Sequence, residues 1–165
     1  LACETEGPHS PECGPSCFPT PSGTMADMHH IGVDIVHVPG FREQLERPGS
    51  RFEEVFTVLE LRVAAQRPDR ALHLAGRWAA KEAFIKAWSQ AIYGRPPVLS
   101  PDLVDFREIE VQPDRWGRVA VVTHGDVEKA VAASLGPVTT SLSISHDGDT
   151  AVATCLVYSS DSSGR

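Results

Sequence analysis

Five residues of types used in phosphate chemistry are spread along this 165-residue chain: Asp34, Arg77, Glu82, Lys86 and His146. Glu82 and Lys86 are four residues apart, so on a helix their side chains lie one turn from each other. Mg²⁺ binds through one or two carboxylates together with water and phosphate oxygens, and basic side chains can neutralise the remaining oxygens. Such a set predicts a site that cleaves or transfers from a pyrophosphate, where positioning and charge stabilisation supply most of the catalysis.

Each of these residues also has a structural interpretation. Asp34 alone is typical of the solvated face of an edge strand. Glu82 and Lys86 alone are typical of a surface ion pair, which contributes roughly 0.3–0.5 kcal/mol. His146 ends a strand-like segment before the turn sequence Asp-Gly-Asp, where a histidine is usually solvated but can also contact a phosphate. Apolar neighbours such as Ala79 on the Glu82 face favour the functional interpretation.

Two elements are predicted to carry most of this set. Alternation over residues 31–36 predicts a strand with Asp34 on the face opposite the isoleucines. Asp69 is predicted to cap the longest helix, over about 70–92, which carries Arg77, Glu82 and Lys86. On that helix a narrow stripe of small residues predicts close packing against a sheet or another helix: Ala80, Ala83, Ala87 and Ala91.

The remaining elements define the fold class. Thr57 and Glu60 have the spacing of a capping box, which predicts a helix that ends before Pro68. A short helix is predicted over 41–46. The second half is predicted to contain four strands and one helix, with strands over 106–111, 119–122, 140–145 and 150–157 and a helix over 126–135. The prediction is an α+β fold, a mostly antiparallel sheet with a central long helix.

Composition excludes several classes of protein. The formal net charge of −7 argues against a non-specific nucleic-acid binder, which is normally basic. No apolar stretch is long enough to span a bilayer, and no P-loop sequence is present, so neither a membrane protein nor a P-loop NTPase is expected. Residues 1–24 lack the apolar segment of a secretory signal, so we expect a cytoplasmic protein. Cys155, in an apolar run, is predicted to be a buried small hydrophobe.

The chain divides into three parts by composition. Residues 1–24 contain five prolines and three glycines without helical or strand periodicity, so we expect residues 1–28 to be a disordered N-terminal extension. Residues 29–158 are predicted to form one domain, and residues 159–165 a polar tail.

Four motifs resemble the ordered signatures of a known family. They are Ile31-Gly-Val-Asp-Ile-Val36, Phe56-Thr-x-x-Glu60, Arg77-Trp-Ala-Ala-Lys-Glu-Ala-Phe-Ile-Lys-Ala87 and Ser143-Ile-Ser-His146. Their order and separations are similar to those of the holo-[acyl-carrier-protein] synthases, the small, trimeric branch of the 4′-phosphopantetheinyl transferases. The resemblance covers about residues 30–158.

The resemblance implies an enzyme that transfers phosphopantetheine from coenzyme A to a serine of apo acyl carrier protein and leaves adenosine 3′,5′-bisphosphate. Asp34 and Glu82 would ligate Mg²⁺ and, with Lys86, form the catalytic set. Lys86 and Arg77 would contact the coenzyme A phosphates, and His146 would lie near the phosphates or the adenine-ribose portion. The family fold implies a homotrimer whose active site lies between subunits, with Asp34 and Glu82 from one chain and His146 from the next. A water held by the metal or by a carboxylate is implied as the proton acceptor.

The resemblance also implies a docking surface for the acidic carrier protein on a basic helix after the first strand. Arg47 and Arg51 lie at a suitable distance from Asp34. Pro39-Gly40 stands where relatives often carry another basic residue, and residues 89–94 replace a Gly-rich stretch, so these two regions depart from the family pattern. Whether the carrier serves fatty acid or polyketide synthesis stays open.

Two other functions are consistent with parts of the sequence. One is a coenzyme A-binding module that retains Arg77 and Lys86 but does not transfer. The other is a structural oligomer or carrier-docking protein that uses only its basic residues. The presence of both Asp34 and Glu82 favours the enzyme.

Overall fold

The computed structural model describes residues 29–159, whose main elements are five strands and four α-helices. In chain order these are β1 (His29–His37), α1 (Val38–Glu46), α2 (Val58–Ala64), α3 (Arg70–Ala91), β2 (Ile109–Pro113), β3 (Val119–Thr123), α4 (Gly125–Leu135), β4 (Val138–Asp147) and β5 (Thr150–Ser159). The predicted extension over residues 1–28 lies outside the described residues. So does the predicted tail apart from Ser159, which is the last residue of β5.

All strand pairs are antiparallel. Strands β1, β5 and β4 form one sheet in that order, and β2 and β3 form a separate hairpin. The helix α3 packs against the three-stranded sheet, and its buried residues form the centre of the core. The predicted α+β class with a central long helix is therefore confirmed. No helix in the described part of the chain combines the length and apolar character needed to cross a membrane.

The cap of α3 and its alanine stripe are as predicted. The Asp69 carboxylate accepts a hydrogen bond from the backbone N–H of Leu72 at 2.9 Å, which satisfies an otherwise free donor of the first turn. Ala83 and Ala87 are fully buried against β1. A Cβ atom at Gly32 would overlap the backbone of both alanines, so only glycine permits this approach. The close contact fixes the position of Asp34, two residues later on β1, relative to α3.

Several boundaries differ from the prediction, two of them for clear local reasons. Helix α1 begins at Val38 and includes Pro39, because proline needs no backbone donor in a first helical turn. Strand β2 begins at Ile109 because residues Phe106–Glu108 form a 3₁₀ turn, which is capped by Asp105. Strand β4 extends over Val138–Asp147, beyond the predicted 140–145.

The outer face of β1 is apolar and exposed. Ile31, Val33 and Ile35 are 58%, 45% and 67% exposed, and they pair across the strand with Leu156, Thr154 and Val152 of β5. Asp34 lies on the inner face, and its side chain is only 15% exposed. The interpretation of Asp34 as a solvated residue of an edge strand is therefore wrong, because α3 covers that face of the sheet.

Candidate active site

The first cluster of predicted site residues lies between β1 and α3. The Lys86 ammonium donates to Oδ1 of Asp34 at 2.7 Å, and the Lys86 side chain is half exposed. Glu82 lies one turn before Lys86 on α3 and is partly buried. The possible ion pair between Glu82 and Lys86 does not form among the described residues, because Lys86 instead contacts the carboxylate on the strand.

Two neighbouring carboxylates and one ammonium leave this cluster with excess negative charge. Burial raises the pKa of Glu82, the nearby charge of Asp34 raises it further, and Lys86 opposes both. A divalent cation would relieve this repulsion. Within residues 29–159 no group of three or more His, Cys, Asp or Glu side chains is arranged to hold a metal. Two carboxylates nevertheless fit Mg²⁺, which completes its octahedron with water and phosphate oxygens.

An apolar cavity of about 190 Å³ opens beside this cluster. Glu82 is its one charged lining residue among the described side chains. The other walls come from the C-terminal half of α3 and the following loop, and include Ile85, Trp88, Leu99 and Phe106. Low local polarity accounts for the desolvation that raises the pKa of Glu82.

The second cluster of predicted residues lines a larger cavity, of about 460 Å³, near the start of α3. Arg77 is only 7% exposed, yet its guanidinium makes no hydrogen bond or ion pair within the described part of the chain. Burial lowers its pKa. The nearby charge of Glu60 opposes this shift. His146 of β4 packs on the same helix, where a Cβ at Gly76 would lie 3.0 Å from Nε2 of His146. A mostly buried cation that lines a cavity and makes no hydrogen bond or ion pair among the described residues is suited to an anionic ligand.

His73 and Arg67 line the same cavity and were not predicted as site residues. The Nε2 atom of His73 is buried without a hydrogen-bond partner. Burial lowers the pKa of His73 to about 4, and the charges of Arg77, Arg67 and His146 act in the same direction. The spacing of His73 and Arg77, four residues apart on a helix, is the signal that could have identified this residue.

The two clusters are separate within one chain. No residue that lines the cavity of Arg77 and His146 also lines the cavity of Glu82. Arg77 and Glu82 are five residues apart, so they point about 140° away from each other around the α3 axis. The structure thus brings together Asp34, Glu82 and Lys86, and separately Arg77 and His146. A shared site would require a second subunit.

Comparison with known proteins decides the family. Residues 30–155 match the model of the 4′-phosphopantetheinyl transferase superfamily. The chain belongs to this superfamily. The holo-[acyl-carrier-protein] synthase of Corynebacterium glutamicum (strain R) is 56% identical to this transferase over 132 residues, which are 79% of this chain and 98% of the relative. The synthase of Mycobacterium tuberculosis (strain H37Rv) is 45% identical over 128 residues, 77% of this chain and 94% of the relative.

Solved structures agree with this assignment. The protein in a Chronobacterium ammoniagenes ACPS–CoA complex is 62% identical to this chain, with a TM-score of 0.77. The match covers 81% of this chain and 99% of that protein's chain. The Mycobacterium tuberculosis acyl carrier protein synthase is 40% identical to this chain, with a TM-score of 0.60. The match covers 78% of this chain and 95% of the chain of that synthase. The resemblance read from the four motifs, and the enzyme class that it implies, are confirmed.

The predicted docking residues of the transferase lie beyond the end of α1. Arg47 caps α1 and is exposed. Arg51 is also exposed, but it donates to Glu54 at 2.7 Å. Two further arginines of this region are paired with acidic side chains, Arg42 with Asp69 and Arg70 with Glu53. Local ion pairs therefore neutralise part of the positive charge of this region.

Proposed function

We propose that this transferase moves 4′-phosphopantetheine from coenzyme A to a serine of an apo acyl carrier protein, with Mg²⁺. The observation that carries the proposal is the cluster of Asp34, Glu82 and Lys86 in a chain that matches the superfamily over residues 30–155. The similar Chronobacterium ammoniagenes structure, a complex with CoA, supports coenzyme A as the donor. The predicted domain, residues 29–158, contains the whole matched region.

The reaction breaks a phosphoanhydride bond of coenzyme A and forms a phosphoester bond to the serine. The serine oxygen forms a bond to the phosphorus that carries pantetheine, and the bond from that phosphorus to the bridging oxygen of the pyrophosphate breaks. Adenosine 3′,5′-bisphosphate leaves with the bridging oxygen, and the serine proton passes to a water held near the carboxylates. Asp34 and Glu82 would hold Mg²⁺, which supplies charge neutralisation to the pyrophosphate when bound.

The basic side chains have separate tasks in this proposal. Lys86 exchanges the Asp34 oxygen for a pyrophosphate oxygen, since its half-exposed side chain can reach either. Arg77 and His146 bind the phosphates of the adenosine half, because they line a cavity in which Arg77 has no protein partner among the described residues. Asp34, Glu82 and Lys86 therefore act on the reacting phosphates, and Arg77 and His146 orient the donor.

We further propose a homotrimer in which His146 of one subunit completes the site of the next. The exposed apolar row of Ile31, Val33 and Ile35 supplies a surface that association would bury. Separation of the two clusters within one chain supports a site shared between subunits. The carrier protein docks at Arg47 and Arg51, where its acidic surface meets exposed arginines. The proposal places this reaction in the cytoplasm, where it serves fatty acid or polyketide biosynthesis.

The direct test is a transfer assay followed by mass spectrometry. Protein, coenzyme A, Mg²⁺ and an apo carrier protein are incubated, and the carrier is expected to gain the mass of one phosphopantetheinyl group. Omission of Mg²⁺ and a carrier whose acceptor serine is alanine are the controls. Coenzyme A binding without any mass gain, across carriers of fatty acid and polyketide synthesis, would instead identify a binding module.

A further inference from the structure

A fully buried ion pair involves Lys81, the residue that precedes Glu82 on α3. The side chains of Glu60 and Lys81 are both 0% exposed, and Nζ of Lys81 lies 2.9 Å from Oε2 of Glu60. Lys81 also donates to the carbonyl oxygens of Phe106 at 2.8 Å and Ile109 at 2.7 Å. The ammonium thus makes two hydrogen bonds and one ion pair.

Both carboxylate oxygens of Glu60 also accept hydrogen bonds. Its Oε2 accepts from the backbone N–H of Thr57 at 2.8 Å, as the N3 residue of the capping box that begins α2. Its Oε1 accepts from the N–H of Val111 on β2 at 2.9 Å. One carboxylate thus joins the start of α2 to β2, and through Lys81 to α3.

Stability alone does not account for such a pair. Removal of two charges from water is costly, and well-packed apolar residues in place of a buried ion pair are often neutral or stabilising. Two apolar side chains would fill the same space but would make no directional contacts. The two hydrogen bonds and the ion pair of Lys81, in contrast, constrain how this turn of α3 is rotated and where it lies along the helix axis.

The geometry connects this fixed turn to the active site. Lys81 immediately precedes Glu82 on α3. Phe106, whose carbonyl oxygen Lys81 holds, lines the cavity beside Glu82. Lys81 therefore holds the helix that carries Glu82 and a wall of the cavity into which Glu82 faces. We propose that Glu60 and Lys81 are positioning residues that hold Glu82 opposite Asp34 and so set the affinity of this carboxylate pair for a divalent cation.

This inference rests on the proposed function, and its test separates the two. The double variant Glu60→Met with Lys81→Met replaces the ion pair with apolar residues of similar length. Three properties are measured for it and for the wild type: the urea midpoint of unfolding, the Kd for Mn²⁺ by electron paramagnetic resonance, and the steady-state constants of transfer. Glu60→Gln serves as a milder second variant, because it keeps the shape of the carboxylate but removes its charge.

We expect the double variant to unfold at a urea midpoint close to that of the wild type. We also expect it to bind Mn²⁺ at least tenfold more weakly and to have a kcat that is at least tenfold lower. Its KM for the carrier protein is expected to change less than twofold. Wild-type Mn²⁺ affinity and kcat in a folded double variant would overturn the inference. So would a double variant that does not fold, because the pair would then be required for the fold itself. Absence of transfer by the wild-type protein would overturn the proposed function, whatever the variants do.

Discussion

Lys86 and Asp34 form an ion pair of 2.7 Å that joins α3 to β1 across 52 residues of sequence. The ammonium occupies Oδ1, one of the oxygens that a divalent cation would use. In the proposed mechanism Lys86 and the cation would therefore compete for Asp34 until the pyrophosphate provides Lys86 with another partner. This competition leads to opposite expectations for metal binding and for catalysis.

Lys86→Met should reduce transfer while it leaves metal affinity intact or improved. Loss of the charge that contacts the pyrophosphate is expected to lower kcat on the order of 10²-fold. Mn²⁺ binding without coenzyme A should be unchanged or tighter, because Oδ1 of Asp34 is free. Lys129→Met, which removes an exposed lysine paired with Asp126, is the matched control and should change neither quantity. A tenfold loss of Mn²⁺ affinity in Lys86→Met would contradict this competition.

Glu82→Gln should reduce both metal affinity and transfer. The amide keeps the shape of the side chain but cannot supply the negative charge that Mg²⁺ requires, so kcat is expected to fall by about 10²–10³-fold. The measurement is transfer as a function of Mg²⁺ concentration, with Mn²⁺ binding in parallel. Glu128→Gln, an exposed residue of α4, is the control of the same chemistry. Wild-type dependence on Mg²⁺ in Glu82→Gln would remove Glu82 from the metal site.

The local elements of the site could be predicted from the sequence because their signals are local. Alternation around Asp34 identified the strand, and Asp69 with the alanine stripe identified α3 and its close packing. Lys81 illustrates what such signals leave out. A helical lysine is normally exposed, and its burial depends on Glu60, Phe106 and Ile109, all more than 20 residues away. The partner of Lys86 is a tertiary contact of the same kind.

The orientation of β1 could not be predicted for a related reason. Ile31, Val33 and Ile35 are the larger apolar residues of the strand, yet they face outward. Gly32 faces α3 because its missing side chain permits contact with the backbone of Ala83 and Ala87. Alternation identifies two faces, but the choice between them depends on what covers each face.

Gly32→Ala should therefore separate α3 from β1. The new methyl group overlaps backbone atoms of Ala83 and Ala87, which move only with the helix. A loss of about 1–3 kcal/mol in the free energy of unfolding is expected. Since the displacement also moves Glu82 and Lys86 away from Asp34, transfer should fall in the protein that remains folded. Urea titration with the transfer assay checks both effects, and Thr139→Ala on exposed β4 is the control.

A site shared between subunits predicts rescue between inactive chains. Asp34→Ala and His146→Ala should each be inactive alone. Mixed trimers of the two contain interfaces with an intact Asp34 from one chain and an intact His146 from its neighbour. At equal amounts about a quarter of interfaces have this composition, so up to about a quarter of the activity should return.

A mixture of Asp34→Ala with Glu82→Gln, both on the same side of the site, should stay inactive. Native mass spectrometry must detect mixed trimers before a failure to rescue counts against the shared site.

The buried imidazole of His73 should make the free energy of unfolding depend on pH. Its pKa is about 4 in the folded protein, against 6.5 for the ordinary side chain, because the ring is buried among Arg77, Arg67 and His146. Between pH 4 and pH 6.5 the imidazole binds a proton in the unfolded chain but not in the folded protein. The contribution of His73 to stability is therefore complete above about pH 6.5, and it is lost as the pH falls towards 4. At 1.36 kcal/mol per pKa unit the loss is at most about 3.4 kcal/mol, and partial exposure of the ring reduces it to about 1–2 kcal/mol.

His73→Gln should remove this part of the pH dependence. Urea unfolding at pH 7 and pH 4.5 is expected to give a smaller difference for the variant than for the wild type, because glutamine does not titrate. Carboxylates contribute equally to both proteins and cancel in the comparison. His29→Gln, which replaces an exposed histidine of β1, should retain the wild-type difference. If His73→Gln and the wild type lose the same free energy of unfolding on acidification, the imidazole of His73 does not remain neutral in the folded protein.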